Sequence, residues 1–296
     1  MIPNNNLSVL PFYESSQYQN ARKWWMYGRV YPLFCPAGFL LPFQVITEHV
    51  ENTIIQIAYL FDANNDFNPV ADLTTNVRNA TTKKEFANLG YDVWVFPGQL
   101  PVINSLQNGR YYIRLQIGTG GPGGTTITRV SEIFTVVNDI QPYLKITWWD
   151  LDDFTMDAGT IVYANPAFKN VLYLQSDLAK PEYPFEEEGE TRDGYFFPTK
   201  QISEKRYRFN FLASEYLLDV MRFIRMADFA EIEYHGQRYS LDTFLITPEW
   251  EDNGDVATVE AVFDTATVAK KIGQGYIQPT GGDFNNDFNN DFNNQQ

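Results

Sequence analysis

With 296 residues, 44% of them hydrophobic and 16% aromatic, the chain carries enough apolar surface for two cored domains, and global disorder is excluded. Its 37 acidic against 22 basic residues leave a formal charge of -15, which repels phosphate backbones and anionic membrane surfaces, so nucleic acid is not expected as a partner. A single cysteine, Cys35, excludes an intrachain disulfide and an all-cysteine metal site.

The opening MIPNNNLSVLPFYESS has no basic stretch and no long apolar one, and nowhere does the chain approach the ~20 apolar residues that cross a bilayer. The expectation is synthesis in the cytoplasm without a signal peptide and without membrane insertion. Residues 1–40 read as an extended arm, with prolines that break regular structure and with Trp24 and Trp25 as candidate partner anchors. From 41 to 138 the pattern turns to period two: Ile55, Ile57, Tyr59 and Phe61 alternate in TIIQIAYLF, and Tyr111, Ile113, Leu115 and Ile117 in RYYIRLQI. YDVWVFPG and SEIFTVVNDI add two more strands, and the turn residues between them suggest an Ig-like β-sandwich domain. GTGGPGGTT at 118–126 has no lysine and opens no helix, as a phosphate loop would, and reads as a hairpin tip.

A second, sheet-rich α+β domain is expected over 139–273. YLKITWWD, GTIVYAN and KNVLYLQ read as strands, and EEEGETRDG as an acidic, solvated turn. The only strong helical pattern follows: Leu217, Val220, Met221, Ile224 and Ala227 share a face, Ser214 is the candidate N-cap, and Arg222 and Arg225 point outward. A hairpin turning at HGQ in AEIEYHGQRYSLDTFLI and an alternating strand in DVATVEAVFDT complete the domain. Residues 274–296 form a low-complexity tail ending GGDFNNDFNNDFNNQQ, where Phe284, Phe288 and Phe292 recur every fourth residue and so share one face of an extended chain. Asn and Asp compete for backbone hydrogen bonds and disfavour a helix here. The expectation is a segment that docks on a neighbouring subunit through its phenylalanines, with a flexible tail as the alternative.

Catalytic constellations are scarce. His49 and His235 lie far apart, no GxSxG elbow is present, and nucleophilic catalysis is not expected; no catalytic residue is named and no cofactor is expected. Asp150, Asp152 and Asp153 beside Trp148 and Trp149 have the makings of a sugar site, weighed against a plain tryptophan anchor at a domain junction. Asp62, Asn64 and Asp66, and again Asp283, Asn285 and Asp287, have the D-x-N-x-D start of a calcium loop. After Asp62, however, Phe67 and Leu73 stand where such a loop needs its glycine and its bidentate glutamate, so an Asx-rich turn is the simpler reading.

The segments KPEYPFEEEGETRDGYFFPTKQISEKRYRFNFLASEYLLDVMRFIRMADFAEI and TFLITPEWEDNGDVATVEAVFDTATVAKKIG, with YGRVYPLFCPAGFLLPFQVI near the start, resemble virion structural proteins of tailed bacteriophages that infect Bacteroidota. The resemblance implies a non-enzymatic subunit of the tail or its associated rings, assembling in the host cytoplasm with copies of itself and other virion proteins. A glycan-binding module that contacts the host surface at the tail tip is the alternative. Oligomerisation without ligand favours the first, and glycan binding by a monomer the second.

Overall fold

The computed structural model describes residues 8–14, 33–65, 67–98, 106–119, 124–151, 154–155, 162–163, 168–192, 194–250, 256–265 and 269–272. The first strands are β1 (Phe12–Glu14), β2 (Phe34–Pro36), β3 (Phe43–Glu48), β4 (Thr53–Asp62) and β5 (Ala71–Asp72), followed by helix α1 (Thr74–Ala80). Next come β6 (Thr82–Phe86), β7 (Tyr91–Phe96), β8 (Gly109–Thr119), β9 (Thr126–Ser131), β10 (Phe134–Val137) and β11 (Tyr143–Trp149). β12 (Phe154–Thr155), β13 (Val162–Tyr163), β14 (Asn170–Gln175), β15 (Phe185–Arg192), β16 (Tyr195–Ser203) and β17 (Arg206–Ser214) lead to helix α2 (Glu215–Met221). β18 (Phe229–Tyr234), β19 (Gln237–Trp250), β20 (Val256–Thr265) and β21 (Ala269–Ile272) finish a chain that is mainly β. Two compact units divide it, one of residues 1–181 with 206–266 and one of 182–205 with 267–296.

In the larger unit, β8 is the spine of a seven-stranded sheet. It pairs with β4 along one edge and with β10 and then β9 along the other, while β1 and β2 extend the sheet outward. The described parts of the expected N-terminal arm therefore lie inside this sheet, with Val9, Leu10, Leu33 and Cys35 fully buried. In β8 the expected alternation holds, with Ile113, Leu115 and Ile117 buried. In β4 it does not hold: the register shifts between Ile55 and Ile57, and the inward residues are Ile55, Ala58 and Leu60. One bulged residue moves every later side chain to the other face. Arg78 of α1 holds the bulge, donating from Nε to the Ile55 carbonyl at 2.6 Å and from Nη2 to the Gln56 carbonyl at 3.0 Å. That helix has no counterpart in the sequence reading, because TTNVRNA is short and rich in residues of low helix propensity; its one buried residue, Val77, is what holds it.

β7, with all six residues buried, is flanked by β3 and β6 in a second sheet. The two sheets meet through Phe12, Phe43 and Phe96, whose successive ring centroids are 4.8 Å apart. A third sheet has the order β14-β11-β18-β19-β20-β17. Ala257, Val259, Ala261 and Phe263 of β20 point inward as their alternation predicts. Over this face lie Leu217, Val220, Met221 and Ile224 of α2 and the 3-10 turn Arg222–Met226, all 2% exposed or less. Ser214 precedes the helix as expected, but its hydroxyl makes no capping bond. Past β14 the chain crosses to the far edge of the same sheet: Ser176 Oγ donates to the Asn210 carbonyl at 2.7 Å, and Ala179 N to that of Arg208 at 2.9 Å. One buried cluster includes Leu10, Phe96, Leu144, Phe209 and Phe263, so the stretches on either side of residue 138 share a core.

Glu132, between β9 and β10, is one of the buried acids of this unit. Burial pushes its carboxyl up to about 7, against the lowering effect of hydrogen bonds from the Ile133 amide and the Tyr13 phenol. A carboxyl whose folded pKa lies above its unfolded value contributes most below the unfolded value and loses that contribution as pH rises. The wild type should therefore lose stability between about pH 4.5 and 7, by up to about 3 kcal/mol from this group. Glu132→Gln should flatten that dependence and melt higher than wild type at pH 8; an unchanged profile in thermal melts from pH 4 to 8 would remove Glu132 as its source.

The smaller unit is a three-stranded sheet of order β15-β16-β21. EEEGETR, expected as a turn, is strand β15, because it finds a full antiparallel partner in β16; the reversal comes after Arg192, with Gly194 at φ 82°. Glu188 reaches Lys200 across the pair at 2.8 Å. The register shifts at Gly189, where a Cβ would overlap the Phe197 carbonyl.

Candidate functional site

Trp24, Trp25, Phe284, Phe288 and Phe292 lie outside the described residues, as do Asp66, Asp152, Asp153 and the tail aspartates. The other sequence candidates can be located. Asp62 accepts hydrogen bonds from the backbone and side-chain nitrogens of Asn64 at 2.7 and 3.1 Å, which is an Asx turn. Among the described residues, no three His, Cys, Asp or Glu side chains gather as a metal site.

Both tryptophans are packed against protein groups. Trp148 is 1% exposed in the core, and Trp149 stacks on Phe229 at 5.3 Å with the Lys169 ammonium 4.0 Å from its ring. Asp150 takes part in a reciprocal brace: it accepts from the Asp228 amide at 3.1 Å, while Asp228 accepts from the Leu151 amide at 2.9 Å. Burial raises its carboxyl, opposed by the bond from the Asp228 amide. These residues join the end of β11 to the turn before β18 within the larger unit, and not at a domain junction.

His49 is not a bare surface histidine. Its Nδ1 lies 2.7 Å from Oδ1 of Asp92, whose side chain is fully buried, and the Lys83 ammonium lies 3.1 Å from Oδ2. With Asp92 on β7, His49 just past the end of β3 and Lys83 on β6, the register brings the three together, and nothing in the local sequence announces the cluster. Cys35 is a core thiol donating to the Phe39 carbonyl at 3.1 Å; burial pushes it up to about 12, so it is not a reactive nucleophile.

Two surfaces remain. The first is the β15–β16 hairpin. From Glu186 to Thr191 and from Gly194 to Thr199 its residues are exposed, and Phe185, Tyr195, Phe196 and Phe197 are 59, 73, 49 and 51% exposed. The pairing places Phe185 and Phe196 on one face and Tyr195 and Phe197 on the other. The outer edge, strand β15, carries Glu186, Glu187, Glu188 and Glu190, and such a row of like charge discourages a second acidic strand from adding there.

The second is a cleft of about 630 Å³ in the larger unit, between the Pro36–Pro42 turn, strands β11 and β14, and the β18–β19 turn. Phe39, Tyr143 and Tyr173 supply aromatic wall. Burial raises the Tyr173 phenol, with a smaller contribution from the Glu233 carboxylate, so it remains a hydrogen-bond donor. At the mouth Glu233 stands between Lys145 at 3.7 Å and Arg238 at 3.5 Å. Two cations and one anion thus meet on this side of the mouth, and the Asp139 carboxylate acts on Tyr143 on the other. The expected turn at HGQ shapes this rim, with His235 at φ 48° and Gly236 at φ 76°, as a tight two-residue hairpin requires. Sequence reading missed the cleft because its walls come from four separate stretches. No family model, curated protein or solved structure matches the chain.

Proposed function

We propose that the protein is a non-enzymatic structural subunit of a phage virion, of the tail or its associated rings, built to assemble with copies of itself and with other virion proteins in the host cytoplasm. In this reading the first half is an Ig-like β-sandwich, the second an α+β sheet domain, and nucleic acid and membrane are not partners. The observation that carries it is the β15–β16 hairpin. A hairpin with one short third strand is marginal in water, and four exposed aromatic rings on it are a standing cost to a monomer. Packing each ring against a partner returns about 1.5–3 kcal/mol before ordering costs, and both faces carry rings, as a subunit between two neighbours needs. The sequence resemblance points the same way.

Purified protein should sediment as an oligomer without added ligand. Replacing Phe185, Tyr195, Phe196 and Phe197 with serine should return it to a folded monomer. A wild type that stays monomeric at high concentration and gives signal on a glycan array would overturn the assembly reading in favour of host recognition.

A further inference from the structure

We propose that the cleft beside the β18–β19 turn receives the C-terminal Asp-Phe-Asn-Asn repeat of a second copy of this chain. The proposal rests on the assembly reading and gives the tail a place in it. The interior and the repeat match in kind: the walls are aromatic and aliphatic, with Phe39 46% exposed and without a ring partner among the described residues, and each repeat offers one phenyl ring. The charges match as well. The rim sets Lys145 and Arg238 against Glu233, with Arg238 70% exposed, while each repeat places an aspartate beside its phenylalanine.

Extended geometry orders the fit. In an extended segment neighbouring side chains point to opposite faces, so a repeat that seats one of Phe284, Phe288 and Phe292 in the cleft leaves its aspartate, Asp283, Asp287 or Asp291, on the outer face at the mouth. Successive rings are about 13 Å apart, so one cleft takes one ring, and the repeats are three equivalent registers for the same site. A pocket of this size lies in the range that holds a small ligand, ample for one ring and its flanking backbone.

Three equivalent registers make a distinctive expectation. Serine at any one of the three positions should weaken binding only about 1.5-fold, the statistical loss of one choice in three, whereas serine at all three should abolish it. The acceptor is the full chain carrying Phe284→Ser, Phe288→Ser and Phe292→Ser, so that its own tail does not compete. The probe is a fluorescent peptide of residues 281–296, followed by anisotropy. Saturable binding should fall as salt rises and weaken roughly tenfold with Arg238→Glu or Phe39→Ser, both exposed positions whose variants are checked for native circular dichroism. Binding that ignores both substitutions, or no saturable binding at millimolar peptide, overturns the docking. If the wild type still sediments as an oligomer in that case, the assembly reading stands without it; a monomeric wild type removes both.

Discussion

Ile224→Asp should abolish the cooperative melting of the larger unit or lower its midpoint beyond the working range. Ile224 is 2% exposed in the 3-10 turn that continues α2, and it belongs to the same buried cluster as Met221, Phe209 and Phe263. A carboxylate in that position has no partner and must either stay charged in an apolar setting or bind a proton at neutral pH. Either costs several kcal/mol, against a total stability of about 5–15 kcal/mol for a natural domain. Ile224→Val, which removes one methylene, should cost only about 0.5–1.5 kcal/mol. Arg225→Asp, one residue on and exposed, should leave the transition nearly unchanged. The ordering of the three in thermal melts tests which way the helix faces; equal midpoints for Asp and Val at 224 would mean that the segment faces water.

The other large effect is expected at Asp92. Its buried carboxylate holds His49 at 2.7 Å and Lys83 at 3.1 Å. Asp92→Ala leaves the Lys83 ammonium and the His49 ring without their shared acceptor beside an apolar sheet, and loss of one member of a buried ionic cluster typically costs about 3–5 kcal/mol. The lower end applies here, because Lys83 keeps Glu85 at 2.7 Å and rests over the Trp94 ring at 5.3 Å. Pairing Asp92→Leu with Lys83→Met should recover much of the loss, since apolar replacement of a whole buried pair is often neutral. Chemical denaturation of the single and double variants measures this; a single variant as stable as wild type would make the cluster incidental.

These two sites also show what a sequence can disclose. Alternation in β20 and the helical spacing from Leu217 to Ile224 are local, so the burial of both could be read from neighbouring letters. The β4 bulge could not, because what shifts the register is a guanidinium from Arg78, 23 residues past Ile55. His49 and Asp92 are 43 residues apart and meet only through the register of β3 on β7. The cleft is harder still: its aromatic and charged linings come from segments that look like ordinary loop and strand on their own. The hairpin aromatics were in plain view, but an acidic run was read as a turn because charge is a weaker guide to structure than the presence of a partner strand.

The third sheet also sets a timetable. β11 pairs with β14 soon after both are made, but its other edge waits for β18, where Lys145 stands opposite Glu233. The intervening stretch takes roughly 4–18 s to synthesise at ordinary elongation rates. Over that interval Leu144, Ile146 and Trp148 lie on a strand whose second edge is unpaired and whose sheet still lacks β19 and β20. A nascent chain paused between these strands thus exposes the apolar face of β11, and its folding yield should fall as the ribosome slows between residue 150 and residue 265.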